Sequence, residues 1–460
     1  MDKLQHLLFV LPEFFPETSG GICSFYNNLL QELENAPYRI TVVQGSAFDQ
    51  QGGYVKWSKI DVHRLSKEQF EESRTKLSHL AVFPELQNHV ASAWALYELA
   101  NSLNTPFDVV VTTDWGWGFL PWIIKGNMPV VIHLHGSIGQ IDYYEPRKGL
   151  EFWSKLYLHT EIDCFNQAQA LFTYSHQNQL FWTQRQVDEQ KFSLFPPLIK
   201  NERKPLPKQK QDRLIGLIVG RIQYWKGVIQ LCEALELLTA SERSQLQLYW
   251  VGRDTYYHEE NSGMESFLAR KFPKTWGKIL LPLGGKTHDE IDAIYQQVDF
   301  TLVPSTWDMF NITAIEHLLH EKPLICSTGA GASDFLADCP GVFIFDNTAS
   351  GLAQQIRIVS QATEEELLQL GKAGCQFVLR EFDKEKIVAQ NNQMLAETLQ
   401  RFSTTPDLSE RFSMFVPSPN PNGLARTQLT ATWTLKELMN ITSKRLKKKI
   451  KAYLAKHKPA

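Results

Sequence analysis

Short apolar runs alternate with helical patterns along most of this sequence. The runs occupy residues 108–112, 130–134 and 171–174 in the first half of the chain, and 214–219, 246–251 and 300–303 in the second half. Runs of this length are typical of strands buried on both faces, and strands that alternate with helices form parallel sheets. Two successive sets therefore predict an α/β protein with two Rossmann-like, doubly wound domains that face each other across a ligand cleft.

The sequence also predicts where these domains end. We expect an N-terminal domain over residues 1–199 and a C-terminal domain over 214–380. The polar, proline-containing stretch 200–213 is typical of a linker between domains. Residues 381–400 are predicted to form a helix that returns to the N-terminal domain, and 401–460 to form an irregular segment followed by a basic amphipathic helix.

Composition favours a globular protein of a reducing compartment. With 460 residues, of which 43% are hydrophobic, the chain can form two cores. We find no apolar run near the ~18 residues that a membrane helix needs, and no signal-peptide cleavage pattern, so we expect a cytoplasmic location. The six cysteines are scattered without zinc-binding or disulfide spacing, so we expect buried thiols.

Two acidic residues mark the most informative segment. Asp308 and Glu316 have seven residues between them, across the start of a predicted helix that follows an apolar strand. Carboxylates at such a position can accept hydrogen bonds from two separate diols, as in the recognition of a sugar nucleotide. The alternative is a helix-capping aspartate and a solvated glutamate.

Two cations stand at an earlier turn between a strand and a helix. Arg221 and Lys226 follow the apolar run that ends before Gly220. A pair of cations there can neutralise a diphosphate, which is otherwise costly to desolvate. The alternative is two solvated turn charges.

Together these segments resemble the C-terminal half of the retaining GT-B glycosyltransferases, most closely glycosyltransferase family 4, the group 1 or glycogen-synthase-like transferases. The resemblance covers roughly residues 214–400. The matching motifs, in order, are Gly220-Arg221 through Lys226-Gly227, Val251-Gly252, Val303-Pro304-Ser305, the acidic pair, Lys322-Pro323 and Gly329 to Gly331.

The N-terminal half is similar to the same family over shorter stretches. A loop with Gly20 and Gly21 opens a predicted helix, where adjacent glycines let a backbone approach a ligand closely; an ordinary turn is the alternative. His135 follows the run 130–134 and matches the histidine that the family places beside the donor sugar. His133 lies on the same face of that strand and is predicted to be a packed histidine.

The resemblance implies transfer of a sugar from a nucleoside-diphosphate sugar, with retention of configuration and with no metal or other cofactor. It implies that Arg221 and Lys226 neutralise the departing diphosphate, that Glu316 binds the ribose, and that Asp308 and His135 lie beside the donor sugar. The helix start over Phe310, Asn311, Ile312 and Thr313 is implied to support the sugar or a phosphate.

The sequence departs from the family pattern at three places. Asp308 stands where the family has glutamate, Asn311 stands where it has glycine, and Phe195-Pro196-Pro197-Leu198 replaces its asparagine-glycine turn. Asn311 tolerates a positive φ better than most residues. These departures leave donor choice open, and two other functions remain: an epimerase or hydrolase on the same scaffold, or a catalytically silent protein that binds a sugar nucleotide or a glycan.

The C-terminal segment raises a separate question. Apolar residues recur at helical spacing over 435–458, and six lysines and arginines crowd the remaining surface between 444 and 451. Such a helix could contact an anionic membrane, or it could be a solvated helix or tail. We expect no nucleic acid as partner, because no basic fold with aromatic residues accompanies it. The acceptor of the sugar, whether a glycan, a glycolipid or a small molecule, is open.

Overall fold

The computed structural model of the chain describes residues 4–14, 21–145, 151–199 and 212–418. The linker residues 200–211, Gly20 and the basic segment 435–458 lie outside these ranges. Within them, the six strands predicted above are present, each displaced by at most one residue.

The strands have the following bounds: β1 (His6–Leu11), β2 (Arg39–Gln44), β3 (Tyr54–Trp57), β4 (Ile60–Arg64), β5 (Val109–Thr113), β6 (Val130–His133), β7 (Ala170–Thr173), β8 (Phe192–Leu194), β9 (Leu214–Val219), β10 (Leu246–Val251), β11 (Tyr256–Tyr257), β12 (Ser262–Gly263), β13 (Leu280–Gly284), β14 (Phe300–Val303), β15 (Leu324–Ser327) and β16 (Val342–Phe345).

The α-helices have the following bounds: α1 (Gly21–Leu33), α2 (Lys67–Lys76), α3 (Pro84–Ser102), α4 (Leu120–Lys125), α5 (Ile138–Tyr144), α6 (Glu151–Gln167), α7 (His176–Thr183), α8 (Val228–Glu236), α9 (Ala240–Ser244), α10 (Met264–Lys271), α11 (His288–Tyr295), α12 (Thr313–Leu319), α13 (Ser333–Leu336), α14 (Ala349–Gln361), α15 (Glu364–Glu381) and α16 (Lys384–Arg401).

Two sheets form the centres of two domains. The N-terminal sheet has the order β3-β4-β2-β1-β5-β6-β7-β8 and is parallel except for the β3–β4 pair. The C-terminal sheet has the order β13-β10-β9-β14-β15-β16 and is parallel throughout. Each sheet is wound in both directions from its first strand, so the crevices beside β1 and β9 lie where such sheets bind ligands.

Both faces of each sheet are covered, which explains why the strands are continuously apolar. In β1, Leu7 and Phe9 face a core that includes α1 and α16, while Leu8 and Val10 face the core formed with α3. All six cysteine side chains are buried, as predicted. Among the described residues, no helix is long and apolar enough to cross a membrane.

The chain returns to the N-terminal domain after the C-terminal sheet. In α16, Asn392 accepts a hydrogen bond from Tyr38 Oη at 2.5 Å. The following segment lies against the same domain, where Trp94 Nε1 donates to the Phe415 carbonyl at 2.7 Å and Lys125 pairs with Asp407 at 2.9 Å. The rings of Phe412 and Phe415 are buried in its core.

Candidate functional site

A cavity of about 820 Å³ lies between the domains, where the carboxyl ends of the two sheets face each other. This is the position at which doubly wound sheets bind their ligands. The N-terminal wall comprises Glu13, Gly21, Ile22, Ser24, Phe25, Trp115, His135, Gly136, Ile141, Tyr174 and Pro197, and the C-terminal wall comprises Val219, Gly220, Arg221, Trp225, Lys226, Trp307, Asp308, Met309, Phe310, Asn311, Ile312, Thr313 and Glu316.

The turn after β9 brings Lys226 into the cleft. The turn ends at Gly227, whose φ of +78° favours glycine, and a Cβ there would lie 1.8 Å from the Pro304 carbonyl oxygen. The backbone of the same turn binds the loop after β14, since the Trp225 carbonyl accepts the Thr306 N–H at 2.8 Å. Two segments far apart in sequence are thereby fixed side by side.

Lys226 and Asp308 meet as a result of this contact. Lys226 Nζ donates to Asp308 Oδ2, and the two side chains are 21% and 17% exposed. Arg221, at the mouth of the same wall, is exposed. Arg221, Lys226 and Asp308 therefore lie in one cleft. The positive charge of Lys226 and the negative charge of Asp308 compensate each other.

The glycine-rich turn after β15 fixes the backbone on either side of Asp308. The Asp308 N–H donates to the Gly329 carbonyl at 2.9 Å, and the Gly331 N–H donates to the Asp308 carbonyl at 3.1 Å. A Cβ on Gly331 would lie 2.1 Å from the Met309 carbonyl oxygen. This close approach requires glycine there, whatever the backbone angles.

The segment after Asp308 takes the shape that its sequence allows. Asn311 has a φ of +74°, which asparagine tolerates, and its side chain donates to Ser305 Oγ at 3.2 Å. The helix α12 begins at Thr313, with Glu316 exposed in its first turn. Phe310 borders the cavity, but its ring is 4% exposed and packs against aromatic side chains of the core.

His135 lies on the opposite wall, at the carboxyl end of β6. Its Nε2 is 3.1 Å from Tyr174 Oη, and its backbone N–H donates to Asp114 Oδ1 at 2.8 Å. The Gly136 N–H donates to the other oxygen of Asp114 at 3.1 Å. Asp114 thus fixes the loop that presents His135 to the cleft, while His133 is fully buried beside Tyr26, as predicted.

Desolvation controls the charges of this wall. It lowers the pKa of His135 to about 3, so the imidazole is neutral near pH 7. It also raises the pKa of Asp114 to about 7, although the N–H groups of His135 and Gly136 favour the ionised carboxylate. A neutral His135 can exchange a hydrogen bond with a sugar hydroxyl but brings no positive charge.

A second carboxyl group lies behind the wall. Glu161 of α6 accepts hydrogen bonds from Ser137 Oγ at 2.6 Å, from the Gly139 N–H at 3.1 Å and from the Trp117 indole N–H at 3.1 Å. Burial raises its pKa to about 8. Because Ser137 and Gly139 follow β6 whereas Trp117 follows β5, Glu161 joins two of the loops that form the N-terminal wall.

Glu13 and Trp115, two residues of the N-terminal wall, were not singled out by the sequence analysis. Glu13 is the second residue after β1 and Trp115 is the second residue after β5, and both border the cavity. Their position just after a strand of a parallel sheet is the signal that could have identified them. Gly21, the first residue of α1, also borders the cavity, whereas Gly20 lies outside the described residues.

The family model for glycosyl transferases group 1 matches residues 199–377. An uncharacterized glycosyltransferase from Methanocaldococcus jannaschii is 22% identical over 154 residues, which is 33% of this chain and 37% of that protein. The match therefore spans little more than a third of that curated relative.

Two solved structures are similar over most of the chain. One is a sucrose-phosphate synthase from Thermosynechococcus elongatus, with a TM-score of 0.65 and 18% identity, covering 86% of this chain and 99% of that one. The other is HepE from Anabaena in complex with UDP and glucose, with a TM-score of 0.57 and 16% identity, covering 87% and 100%. The chain has the GT-B fold, and its residues 199–377 match the model of the group 1 glycosyl transferases.

Proposed function

We propose that the protein is a retaining glycosyltransferase of family 4 that moves a sugar from a nucleoside-diphosphate sugar to an acceptor without a metal ion. The observation that carries this proposal is the meeting of Arg221, Lys226 and Asp308 in one interdomain cleft, opposite His135. The match of residues 199–377 to the group 1 family supports the same reaction class.

In this proposal the C-terminal wall binds the leaving group. The acceptor hydroxyl oxygen bonds to the anomeric carbon, the bond from that carbon to the diphosphate breaks, and its electron pair leaves with the diphosphate oxygen. The proton of the hydroxyl passes to the departing phosphate. Arg221 and Lys226 stabilise the negative charge that develops on the departing diphosphate.

The remaining residues orient the donor. Asp308 accepts hydrogen bonds from hydroxyls of the sugar, and Glu316, eight residues further along the chain, accepts them from the ribose. His135, neutral and held by Asp114, binds the sugar from the other domain. When the diphosphate binds, the ammonium group of Lys226 moves from Asp308 to the diphosphate. Asp308 is then available to accept hydrogen bonds from the sugar.

One observation favours a catalytically silent binding protein as the second candidate. Without ligand, Lys226 and Asp308 neutralise each other, so part of the free energy of donor binding goes to separating them. The shorter carboxylate of Asp308, compared with the family's glutamate, also suits a displaced donor. A cleft in which this ion pair persists would bind a nucleotide and release no product.

A panel of UDP-, GDP- and ADP-sugars separates the two candidates. Each donor is incubated with the protein, with and without acceptor sugars, and nucleoside diphosphate release is measured. We expect release from one donor class, accelerated by an acceptor and unchanged by EDTA, with an α-linked product from an α-linked donor. Nucleotide binding without release would favour the silent protein, and loss of release with EDTA would contradict metal independence.

Contact of the basic segment 435–458 with an anionic membrane stays a prediction, because this segment lies outside the described residues. Each cation near such a surface contributes roughly 1 kcal/mol. We expect the intact protein to sediment with vesicles that contain phosphatidylserine at low salt, and a variant ending at residue 434 to stay in the supernatant. Equal sedimentation of the intact protein and the shortened variant would show that residues 435–458 do not bind an anionic membrane.

A further inference from the structure

Two tyrosine–histidine pairs lie side by side in the N-terminal domain. His133 ends β6, and His135 follows it on the same face. Tyr26 Oη is 3.1 Å from His133 Nδ1, and Tyr174 Oη is 3.1 Å from His135 Nε2. The pair of Tyr26 and His133 is fully buried, whereas both members of the other pair border the cleft. The two pairs therefore have the same chemistry and differ in their access to a ligand.

The register of the sheet brings Tyr174 to His135. β6 and β7 are neighbouring parallel strands in which His133 lies opposite Phe172. Two residues further along, the same register places His135 opposite Tyr174, on the same face. The ring centroids of His135 and Tyr174 are accordingly 5.2 Å apart. The backbone of two adjacent strands thus determines this contact.

Packing holds both rings of this pair in place. The Phe25 ring of α1 packs edge to face on the His135 ring at 4.8 Å and on the Tyr174 ring at 5.4 Å. The Phe172 ring packs edge to face on Tyr174 at 4.6 Å, and Tyr174 is 2% exposed. Since the tyrosine ring is fixed on these sides, its hydroxyl group is presented to His135 in a defined direction.

The hydrogen bond constrains the imidazole because both partners are neutral. Burial lowers the pKa of His135 to about 3 and raises the pKa of Tyr174, so near pH 7 the phenol keeps its proton and the imidazole carries one N–H. In a neutral imidazole one nitrogen donates and the other accepts. By engaging Nε2, the Tyr174 hydroxyl group restricts both the plane of the ring and the nitrogen that carries the hydrogen.

We propose that Tyr174 is a positioning residue for the donor sugar and acts through its hydrogen bond to His135. This inference rests on the proposed transferase function, in which His135 binds the sugar from the N-terminal wall. Loss of the hydroxyl group weakens binding of the sugar and leaves binding of the diphosphate intact, because Arg221 and Lys226 belong to the C-terminal wall.

Calorimetry with the full-length protein separates the contribution of the sugar from that of the nucleotide. UDP-glucose, GDP-mannose and ADP-glucose are titrated beside UDP, GDP and ADP into the wild type and Tyr174→Phe. We expect the diphosphate to bind both proteins equally and its sugar nucleotide to bind the variant about three- to tenfold more weakly, as for loss of one hydrogen bond. Tyr26→Phe, which removes the matched hydroxyl group from His133, should bind both like the wild type.

A double-mutant cycle shows whether Tyr174 acts through His135. Tyr174→Phe is measured alone and together with His135→Ala, and kcat/KM for the active donor is compared. We expect Tyr174→Phe to lower kcat/KM in the wild-type protein and to have no further effect in His135→Ala. The same loss in both proteins, or weaker binding of the diphosphate in Tyr174→Phe, would overturn the inference, because each result indicates a general structural role.

Failure of this inference is distinguishable from failure of the proposed function. Release of nucleoside diphosphate by the wild type, with equal kcat/KM in Tyr174→Phe, would keep the transferase and overturn the role of Tyr174. Absence of release from every donor would remove the transferase, while a sugar nucleotide that binds Tyr174→Phe more weakly than the wild type would still assign Tyr174 to the sugar. Binding of none of these nucleotides would overturn both.

Discussion

At the scale of single residues, the ion pair between Lys226 and Asp308 links the turn after β9 to the loop after β14. Both side chains are about four-fifths buried, so neither charge is fully solvated and each compensates the other. Removing one partner therefore changes both the electrostatics of the cleft and its ability to bind an anion.

Asp308→Asn separates the two roles of this pair. The amide keeps the size of the side chain but removes its charge, so Lys226 becomes available to a diphosphate. We expect the Kd for the nucleoside diphosphate to stay equal or to fall, while kcat falls by about 10²–10³ because the contact to the donor sugar is lost. Titration calorimetry and release assays measure these two quantities. A variant with wild-type kcat would show that Asp308 does not act on the donor.

At the scale of elements, hydrogen bonds to Glu161 connect the loops after β5 and β6, which form part of the N-terminal wall. Trp117 has a left-handed φ of +59°, unusual for a bulky residue, and its indole N–H is bound by Glu161 of α6. The same carboxylate binds the loop that carries His135. The geometry of the wall is thus set by a residue that does not border the cleft.

Glu161→Gln should change how stability depends on pH. The folded-state pKa of about 8 lies above the usual value of 4.5, so the folded protein binds this proton more tightly and loses stability as pH rises from about 4.5 to 8. Glutamine mimics the protonated acid. We expect nearly equal free energies of unfolding at pH 5 and a variant about 2–5 kcal/mol more stable at pH 9.

Urea unfolding at both pH values measures this difference, with Glu233→Gln at an exposed position of α8 as the matched control. A Glu161→Gln variant that is destabilised equally at both pH values would indicate that the carboxyl is ionised throughout.

The segment after α16 is a second element with a structural role. Phe415 is 6% exposed, and its ring packs edge to face on Trp117 at 5.7 Å. We expect Phe415→Ala to lower the free energy of unfolding of the N-terminal domain by about 3–5 kcal/mol through loss of burial and a residual cavity. Denaturant unfolding measures this change in the free energy of unfolding, and Tyr54→Ala, at an exposed side chain, is the control. Wild-type stability would show that this segment is dispensable.

At the scale of the whole molecule, contacts across the cleft hold the two domains close. Tyr144 of α5 stacks on Trp307, which precedes Asp308, with ring centroids 4.5 Å apart. The His176 N–H donates to Asp334 Oδ2 at 2.7 Å on the same side. Trp307, which is adjacent to Asp308, is therefore in direct contact with the other domain. We expect closure of the cleft, as in other enzymes with two domains, to exclude water from the site.

Tyr144→Ala should weaken this closure. A stacked aromatic pair contributes about 0.5–1.5 kcal/mol beyond burial, so we expect kcat/KM for the donor to fall by up to about tenfold. Small-angle X-ray scattering in the presence of nucleotide should give a larger radius of gyration than for the wild type. Tyr143→Ala, at the exposed neighbouring residue, is the control. Unchanged scattering and kinetics would deny the stack a role in closure.

The sequence allowed the sheets and part of the site to be predicted, for different reasons. Buried parallel strands leave continuous apolar runs, so the strands were found within one residue. That Lys226 and Asp308 belong to one site followed from the likeness to a family, since no local pattern shows which turns meet, whereas their ion pair was not predicted. The stack of Tyr144 on Trp307 and the position of Trp115 were not predicted, because they depend on how two folded domains pack and on a turn at Gly116.

A donor site at this cleft is tested by calorimetric titration of UDP, GDP and ADP into the full-length protein and into Arg221→Ala, Lys226→Ala and the exposed control Lys278→Ala. We predict that at least one nucleoside diphosphate binds the wild type and the control equally, and that each of the other two variants binds it about tenfold or more weakly. Equal binding by all four proteins, or binding of no nucleoside diphosphate, would contradict a donor site at this cleft.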